Sequence, residues 1–294
     1  MAILASLTIQ NYNIGIVDTD VIQTNIRPGS IKWLGHSYKD RFFADPFLWD
    51  RDDQFYYILA EELCFFEDFG KIVLLTVDKE TFSLKAKRIV IEKPFHLSWP
   101  FCVEGEDWII PEAGRTGRCI KYRLCKETFK ILEEEVLIER GLVDPVFFNH
   151  NGTDWLLASH IENPDEELFL YKKEKTGAYS LVSDKPIVQG RKYSRSAGRI
   201  FEYQGRLMRP AQDSVERYGK YTRLNTIENL STSDYAEQIY TIFSSEDNPP
   251  YNETLHTFNY YDDIALVDGS IDVLAPRNVY YKAKRVINRR QRNL

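Results

Sequence analysis

The stretch VDPVFF (143–148), followed by a polar turn and then WLLASH (155–160), decides the fold because the chain repeats this layout five times. Each copy has an apolar strand after a small polar motif, a turn rich in Gly, Asn or Asp, and a second apolar strand that ends in a polar residue. The other four copies are ADPFLW (44–49) with FYYILAEE (55–62), SWPFCV (98–103) with WIIPE (108–112), AGRIFEY (197–203) with RLMRPAQD (206–213), and LHTFNYY (255–261) with IALVDG (264–269).

Further strand-like runs lie between the copies, among them KIVLLTV (71–77) and LFLYKK (168–173). Each unit therefore amounts to about four strands at a spacing of about 45–60 residues, which is the size of a propeller blade. The pattern predicts an all-β, five-bladed β-propeller of four-stranded blades around a central axis. The blades are expected to begin near residues 43, 97, 142, 196 and 255.

We expect a single domain over residues 1–294, because no Pro/Ser-rich linker divides the chain. Residues before about 30 are expected to add a strand that closes the last blade. Sustained helical periodicity is absent from the sequence, and the pattern predicts one short helix, from Ser233 to Phe243.

Charge is distributed unevenly over the sequence. The net charge is −6, yet residues 282–294 form a tail that carries six Lys and Arg residues and no acid. The remaining residues are strongly acidic, which argues against nucleic acid as a partner of the protein body. The tail could instead contact an anionic membrane surface or a phosphate-bearing substrate, or simply be a solvated terminus.

The sequence also bears on location. No apolar run approaches the roughly 18 residues that a membrane span needs, and the N-terminus has no basic region of the kind that begins a signal peptide. The four cysteines form no C-x-x-C motif, which favours reduced thiols. We therefore expect a cytoplasmic protein, with membrane association through the tail as a further possibility.

The starts of the first strands are expected to converge on one pocket, because the first strand of each propeller blade lines the axis. The repeat alignment places Asp45, Trp99, Asp144, Arg199 (or the adjacent Gly198) and His256 there. A purely structural repeat would use similar residues in all copies, so this mixture favours a functional site. Trp99 could stack on a sugar or pack in the core, and His256 could ligate an axial ion, orient a carboxylate or be a core histidine.

The second strands add a further group of polar side chains at their ends: Glu61 and Glu62, Glu112, His160, Gln212 with Asp213, and Asp268. Glu112 follows the apolar run Ile109–Pro111, so its carboxyl is expected to be partly buried with a raised pKa, as suits a general acid, although Arg115 or Arg118 could pair with it. The remaining candidate substrate contacts are His96, Arg209, Gln212 and Asp213. For Arg199 and Arg209, a salt bridge between blades is the alternative to ligand contact.

Carboxyl groups in this number suit glycosidic chemistry. Cleavage of a glycosidic bond requires two carboxyl groups, about 5 Å apart when one of them is the nucleophile and about 6.5–9.5 Å apart when a water must fit between them. Asp45, Glu112 and Asp144 could supply such a pair. No required cofactor is indicated, and a structural or axial metal ion stays open.

The motifs ADPFL (44–48) and VDP (143–145) resemble the blade-one and blade-three motifs of family-43 glycoside hydrolases, which are five-bladed propellers. That resemblance implies that Asp45 is the catalytic base and that Asp144 orients and tunes its neighbours. Those hydrolases carry their acid Glu in blade four, where this chain has Ser196-Ala197-Gly198-Arg199. Either Glu112 takes the acid role, or Arg199 serves a phosphate, a carboxylate or a sugar-nucleotide diphosphate.

Four longer motifs carry a second resemblance, to the N-terminal domain of plant glucosamine inositolphosphorylceramide transferases and to bacterial relatives that accompany polysaccharide biosynthesis enzymes. They are HLSWPF (96–101), IIPEAG (109–114), GRIFEYQGRLMRPAQD (198–213) and LHTFN (255–259). The resemblance implies an enzyme that transfers glycosyl groups in surface polysaccharide or glycolipid biosynthesis. Its ligand would be a sugar, an oligosaccharide or a sugar nucleotide. The alternatives are a glycoside hydrolase and a non-catalytic glycan-binding propeller.

Overall fold

The computed structural model describes residues 7–292, with side chains described through residue 289. Its strands form five antiparallel sheets, four of them with four strands and one with a fifth short strand. The first strands of neighbouring sheets contact one another around a common axis. The predicted all-β, five-bladed propeller is confirmed.

The chain begins with β1 (Thr8–Val17), the single-turn helix α1 (Val21–Thr24) and β2 (Lys32–Trp33). Blade one consists of β3 (Arg41–Arg51), β4 (Phe55–Cys64), β5 (Lys71–Asp78) and β6 (Leu84–Ile91). Blade two consists of β7 (Ser98–Phe101), β8 (Trp108–Glu112), β9 (Cys119–Leu124) and β10 (Ile131–Ile138), with a 3₁₀ turn at Gly114–Thr116.

Blade three consists of β11 (Leu142–His150), β12 (Thr153–His160), β13 (Glu167–Lys173), β14 (Tyr179–Leu181) and β15 (Val188–Gln189). Blade four consists of β16 (Phe201–Tyr203), β17 (Arg206–Asp213), β18 (Tyr221–Leu230) and β19 (Tyr235–Phe243). Blade five combines β20 (Thr254–Tyr261) and β21 (Ile264–Leu274) with the two N-terminal strands, and the helix α2 (Arg277–Arg292) follows it.

The two ends of the chain meet in blade five. Strand β1 pairs antiparallel with β21 along its whole length, from Thr8 opposite Leu274 to Val17 opposite Ala265. The N-terminal segment thus supplies the third strand of the last blade, and the ring closes through a backbone hydrogen-bond ladder.

The helix predicted from Ser233 to Phe243 is wrong. Those residues form the outer strand β19, which pairs with β18 through a ladder that includes Thr222 opposite Phe243 and two register shifts. An outer strand needs no strict apolar alternation, because few of its side chains are fully buried; in β19 only Phe243 is, and Gln238 to Tyr240 are exposed. Its weak pattern therefore resembled a short amphipathic helix.

The first strands of three blades share one backbone distortion. Asp45, Trp99 and Asp144 each precede a proline, and each has a left-handed conformation, with φ of 52°, 46° and 47°. The pairing with the second strand shifts register at each of these positions. A positive φ is costly in a non-glycine residue, and such strain is held in place only where the surrounding structure over-determines it. The repeated D-P, W-P and D-P motifs thus mark a bulge that re-aims the side chain.

Blade four lacks a polar side chain at the corresponding point for a packing reason. A Cβ atom on Gly198 would lie 2.0 Å from the backbone oxygen of Phe258 in blade five, closer than any side chain could tolerate. The approach of blade five therefore requires glycine, and the next residue, Arg199, lies just before the inner strand β16.

Helix α2 docks on the propeller by its polar side. Lys282 donates a hydrogen bond to the backbone oxygen of Thr8, Arg285 to that of Glu67, and Asn288 to that of Phe66. The exposed side is apolar and includes Val279, Tyr280, Val286 and Ile287. The basic tail is thus anchored through several of its polar residues, while the side chains of Arg290 and Arg292 and residues 293–294 lie outside the described part. None of the described helices has the length and apolarity needed to cross a bilayer.

Candidate functional site

Five carboxyl groups cluster where the first strands of the blades begin. Asp45 and Asp144 come from first strands, and Glu61, Glu112 and Asp268 come from second strands. All but the partly exposed Glu112 are buried. A buried carboxylate is costly unless it is paired or keeps its proton, so the partners of each group decide what it can do.

Asp45 belongs to a chain of three side chains across blades one and five. Its Oδ1 lies 3.4 Å from Nε2 of His256, whose Nδ1 lies 2.6 Å from Oδ1 of Asp268. The backbone N–H of Asp45 donates to Oδ2 of Asp268 at 2.8 Å. The imidazole is thereby held between two carboxyl groups, and Asp268 fixes both its ring and the backbone of Asp45.

The pKa values of Asp45 and His256 are both shifted upward. Burial, helped by the charges of Asp268 and Asp144 and opposed by that of His256, raises the pKa of Asp45 to about 7. Burial alone would lower the pKa of His256, but the Asp268 carboxylate outweighs it, and the net shift is upward. Asp45 therefore exchanges a proton near neutral pH, which is the range that suits a general base.

Asp144 and Glu112 form a second pair, between blades two and three. Oδ2 of Asp144 accepts a hydrogen bond from Nε of Arg195 at 2.6 Å, and Arg195 also pairs with Asp165. The backbone N–H of Asp144 points to Oε2 of Glu112 at 3.3 Å. Burial and the negative charge of Asp144 hold the pKa of Glu112 well above its usual range, which favours its protonated form.

Glu61 is the fifth carboxyl group and has a neutral partner. Burial, with the charges of Asp45 and Glu112, raises its pKa well above the usual range. His96 accepts the backbone N–H of Gly70 on Nδ1 at 2.9 Å, and its Nε2 faces Glu61 at 3.6 Å. Burial lowers the pKa of His96 to about 4, so this imidazole is neutral and presents its Nε2 proton to Glu61.

Two tyrosines border the cluster. The rings of Tyr12 and Tyr218 lie with their centroids 4.9 Å and 5.6 Å from that of His256, and the guanidinium of Arg195 lies over the Tyr218 ring at 5.0 Å. Burial raises the pKa of both hydroxyl groups, so both stay neutral hydrogen-bonding groups.

One subset of the cluster could hold a cation. Asp45, His256 and Asp268 offer two carboxylate oxygens and a ring nitrogen within 4.8 Å of one another. In the structure these atoms already face one another: His256 is hydrogen-bonded to Asp268 and lies 3.4 Å from Asp45.

The structure brings together most of the polar residues predicted from the repeat. Asp45, Glu112, Asp144 and His256 belong to the cluster, with His96 at its edge. Gln212 joins through its side-chain amide, which lies 3.4 Å from Oδ2 of Asp144 and donates to the backbone oxygen of Ser196.

Four predicted residues lie elsewhere. Trp99 is fully buried with its Nε1 bonded to the oxygen of Pro145, which matches the core-packing alternative. Arg209 pairs with Glu237 on β19, a contact within blade four. Asp213 pairs with Arg223. Arg199 lines a cavity towards the far ends of the first strands.

Sequence reasoning missed three residues that complete the cluster. Arg195 precedes the aligned first-strand position in blade four, and Tyr218 lies in the connection from β17 to β18. Tyr12 lies on β1, and 244 positions separate it from His256 in the sequence. The one available signal was an arginine next to the Ser196–Gly198 motif, and this signal applies equally to Arg195 and to Arg199.

Comparison with known proteins identifies the family. The family described as the N-terminal region of glucosamine inositolphosphorylceramide transferase 1 matches residues 30–253. The chain belongs to this family.

Two curated family relatives are plant proteins. Glucosamine inositolphosphorylceramide transferase 1 of Arabidopsis thaliana is 31% identical over 213 residues, which are 67% of this chain and 27% of the relative. The protein of the same name from Oryza sativa subsp. indica is 29% identical over 209 residues, or 68% of this chain and 28% of the relative. The chain thus spans about a quarter of the length of the curated relatives it matches.

A solved structure supports the fold. A thermostable family-43 glycoside hydrolase superposes with a TM-score of 0.50 at 10% identity, covering 76% of this chain and 84% of the hydrolase. At this identity the likeness concerns the fold alone.

Proposed function

We propose that the carboxyl cluster acts at a glycosidic bond, and that the chain serves glycosyl transfer in the synthesis of a surface polysaccharide or a glycolipid. The observation that carries the proposal is the pairing of Asp45, whose pKa is raised to about 7, with Glu112, whose protonated form is favoured because burial and the charge of Asp144 hold its pKa well above the usual range. Two carboxyl groups whose environments give them different protonation states are the usual basis of acid–base assignments in such sites.

The roles follow from the partners. Asp45 takes the proton from an attacking hydroxyl group as its oxygen bonds to the anomeric carbon. Glu112 gives its proton to the departing oxygen as the glycosidic bond breaks, so one proton is gained and one is lost. Asp144, held by Arg195, sustains the raised pKa of Glu112.

Support for transfer comes from the family relatives, which are named glucosamine inositolphosphorylceramide transferase 1. In such a reaction the attacking hydroxyl belongs to an acceptor sugar or lipid. A nucleotide leaving group departs without a proton, so a sugar-nucleotide donor would need Asp45 but not Glu112.

Hydrolysis is the second candidate, and the raised pKa of Glu112 is the observation that favours it. A protonated acid is needed where the leaving group is a poor one, such as a sugar hydroxyl. Water would then replace the acceptor hydroxyl at Asp45.

Product analysis distinguishes these functions. The full chain is incubated with sugar nucleotides and a glycolipid acceptor, and separately with oligosaccharides and aryl glycosides, and the products are weighed by mass spectrometry. An acceptor that gains one sugar mass supports transfer, and release of a free sugar supports hydrolysis. Binding without either product would overturn the enzymatic proposal in favour of a glycan-binding propeller.

We further propose that helix α2 contacts an anionic membrane surface. Its exposed side presents the apolar side chains of Val279, Tyr280, Val286 and Ile287, spaced as one stripe of a helix. Residues 277–292 include basic residues and no acid. Apolar side chains beside positive charge are the combination that binds helices to anionic lipid interfaces.

A further inference from the structure

A cavity opens at the end of the propeller axis that lies away from the carboxyl cluster. It encloses about 540 Å³, within the range of sites for small ligands. All five blades line it: the far ends of the first strands contribute residues such as Phe101, Phe148 and Tyr261, and blade four contributes Arg199, which lies just before β16. The carboxyl cluster lies at the beginnings of the same strands, so the two sites occupy opposite ends of the axis.

Arg199 is the unusual residue of this cavity. Its guanidinium lies over the Tyr261 ring, 4.9 Å from the centroid, and Tyr261 is itself fixed because its hydroxyl accepts the backbone N–H of Leu48 at 2.7 Å. No carboxylate of the described residues forms an ion pair with Arg199, although the chain carries more acidic than basic residues. Its planar set of donors is therefore held ready for an anion.

The neighbouring arginine shows the contrast. Arg51 lines the same cavity but pairs through two hydrogen bonds with Glu104, at 2.6 Å and 3.0 Å, and also with Asp263. Its charge is balanced within the protein, and it supports the wall. Glu202 and Asp262 are exposed at the rim. Arg199 is thus the one basic residue of the cavity lining that has no ion-pair partner in the described part of the chain.

Aromatic rings supply the rest of the surface. Phe147, Phe148 and Tyr260 are half-buried in the cavity wall, and Tyr260 is stacked on Phe201 with a centroid distance of 4.6 Å. Rigid rings held in this way offer flat apolar faces at little entropic cost. The C–H face of a pyranose fits such a surface, while a single guanidinium fits one anionic substituent.

We propose that this cavity binds an anionic monosaccharide unit, one that bears a phosphate or a carboxylate, with Arg199 as the anion-binding residue. The site is separate from the carboxyl cluster and does not rest on the activity proposed for it. The propeller then recognises one part of a glycan at each end of its axis.

Titration calorimetry of the full chain with glucose 6-phosphate, glucuronate and glucose tests this. We expect both charged sugars to bind at least about tenfold more tightly than glucose, since a hydrogen-bonded charge contact is worth at least that factor. A preference for the phosphate alone or the carboxylate alone identifies the substituent. Equal binding of all three sugars, or no binding, overturns the proposal.

Two variants locate the effect. Arg199→Gln should abolish the preference for charged sugars, while Arg206→Gln, which removes an exposed charge in the same blade, should leave it unchanged. If Arg199→Gln does not fold, Phe148→Ala provides the second test, because it should weaken binding of all three sugars. Wild-type binding of all three sugars by both Arg199→Gln and Phe148→Ala would place the ligand outside this cavity and contradict the proposal.

Discussion

The carboxylate of Asp45 in blade one accepts the backbone N–H of Trp99 in blade two at 3.1 Å. The other oxygen of the same carboxylate faces His256 in blade five at 3.4 Å. One side chain therefore joins three blades and also contributes to the proposed chemistry. These structural and chemical roles can be separated by Asp45→Asn, because the amide oxygen still accepts a hydrogen bond but the amide cannot take up a proton.

Replacement of Asp45 should affect stability according to the new side chain. Asn keeps an oxygen for the N–H of Trp99 and tolerates the positive φ at this position, whereas Ala does neither. We expect Asp45→Ala to lower the free energy of unfolding by about 1–3 kcal/mol relative to Asp45→Asn, the cost of a buried unpaired donor. Urea denaturation measures the difference, and equal stability of the two variants would show that the contact contributes nothing.

The fold should be more stable at pH 6 than at pH 8. The pKa values of Asp45, Glu61 and Glu112 are all raised on folding, so the folded state binds more protons than the unfolded chain. Stability then falls as the pH rises from the ordinary carboxyl range through pH 7, where Asp45 ionises. His256, whose pKa is also raised, acts in the same direction, and the lowered pKa values of His36, His96 and His160 oppose it mainly at and below about pH 6.5.

Thermal unfolding between pH 5.5 and 8.5 measures this trend. The slope should be smaller in Asp45→Asn, which removes the group that titrates near pH 7. An unfolding temperature that rises with pH over this interval would contradict the raised pKa values assigned to the buried carboxyl groups.

The loss of activity in Glu112→Gln should depend on how much the leaving group of the substrate needs a proton. We expect a loss of about 10²-fold or more on oligosaccharides, whose departing oxygen must gain a proton, and little loss on nitrophenyl glycosides or sugar nucleotides. Glu133→Gln, on the exposed strand β10 of the same blade, is the matched control. A loss of the same size on every substrate would argue that Glu112 positions the substrate and is not the acid.

Removal of the apolar side chains of α2 should weaken membrane contact. The double variant Val286→Ser, Ile287→Ser should lower partitioning to phosphatidylserine vesicles by about tenfold, because two half-inserted aliphatic groups are lost. Ile239→Ser, an exposed apolar residue on β19, is the control. Unchanged sedimentation of the double variant would exclude α2 as the contact, and binding that survives high salt would exclude a role for its charge.

The fold could be predicted from the sequence because its deciding features are local and repeated. The paired apolar strands and the D-P, W-P and D-P motifs recur in register, and the structure gives these motifs a common left-handed bulge. Two elements were missed: β19, an outer strand without strict alternation that was mistaken for a helix, and α2, a helix that was not predicted. In β19 only Phe243 is fully buried, so the strand lacks the alternating pattern on which prediction depends.

The site was only partly predictable, because its contacts cross blades. The alignment places Asp45, Asp144 and His256 at strand starts, and the structure brings them together. The alignment could not show that the bulge turns the indole of Trp99 into the core. Nor could it show that the close approach at Gly198 leaves Arg199 at the end of the axis away from the carboxyl cluster. Arg195 lies in a connection outside the repeat, so the partner of Asp144 had no counterpart in the pattern.

The most direct test of the carboxyl cluster is the turnover of Asp45→Asn, measured on the substrate for which wild type forms a product, with Asp50→Asn on the same strand as control. The account predicts that Asp45→Asn binds the substrate with near wild-type affinity and keeps its fold, but turns over at least about 10²-fold more slowly, because an amide cannot take the proton. Asp50→Asn should retain full activity. Wild-type turnover by Asp45→Asn would contradict the assignment of the base, and with it the claim that this cluster performs the chemistry.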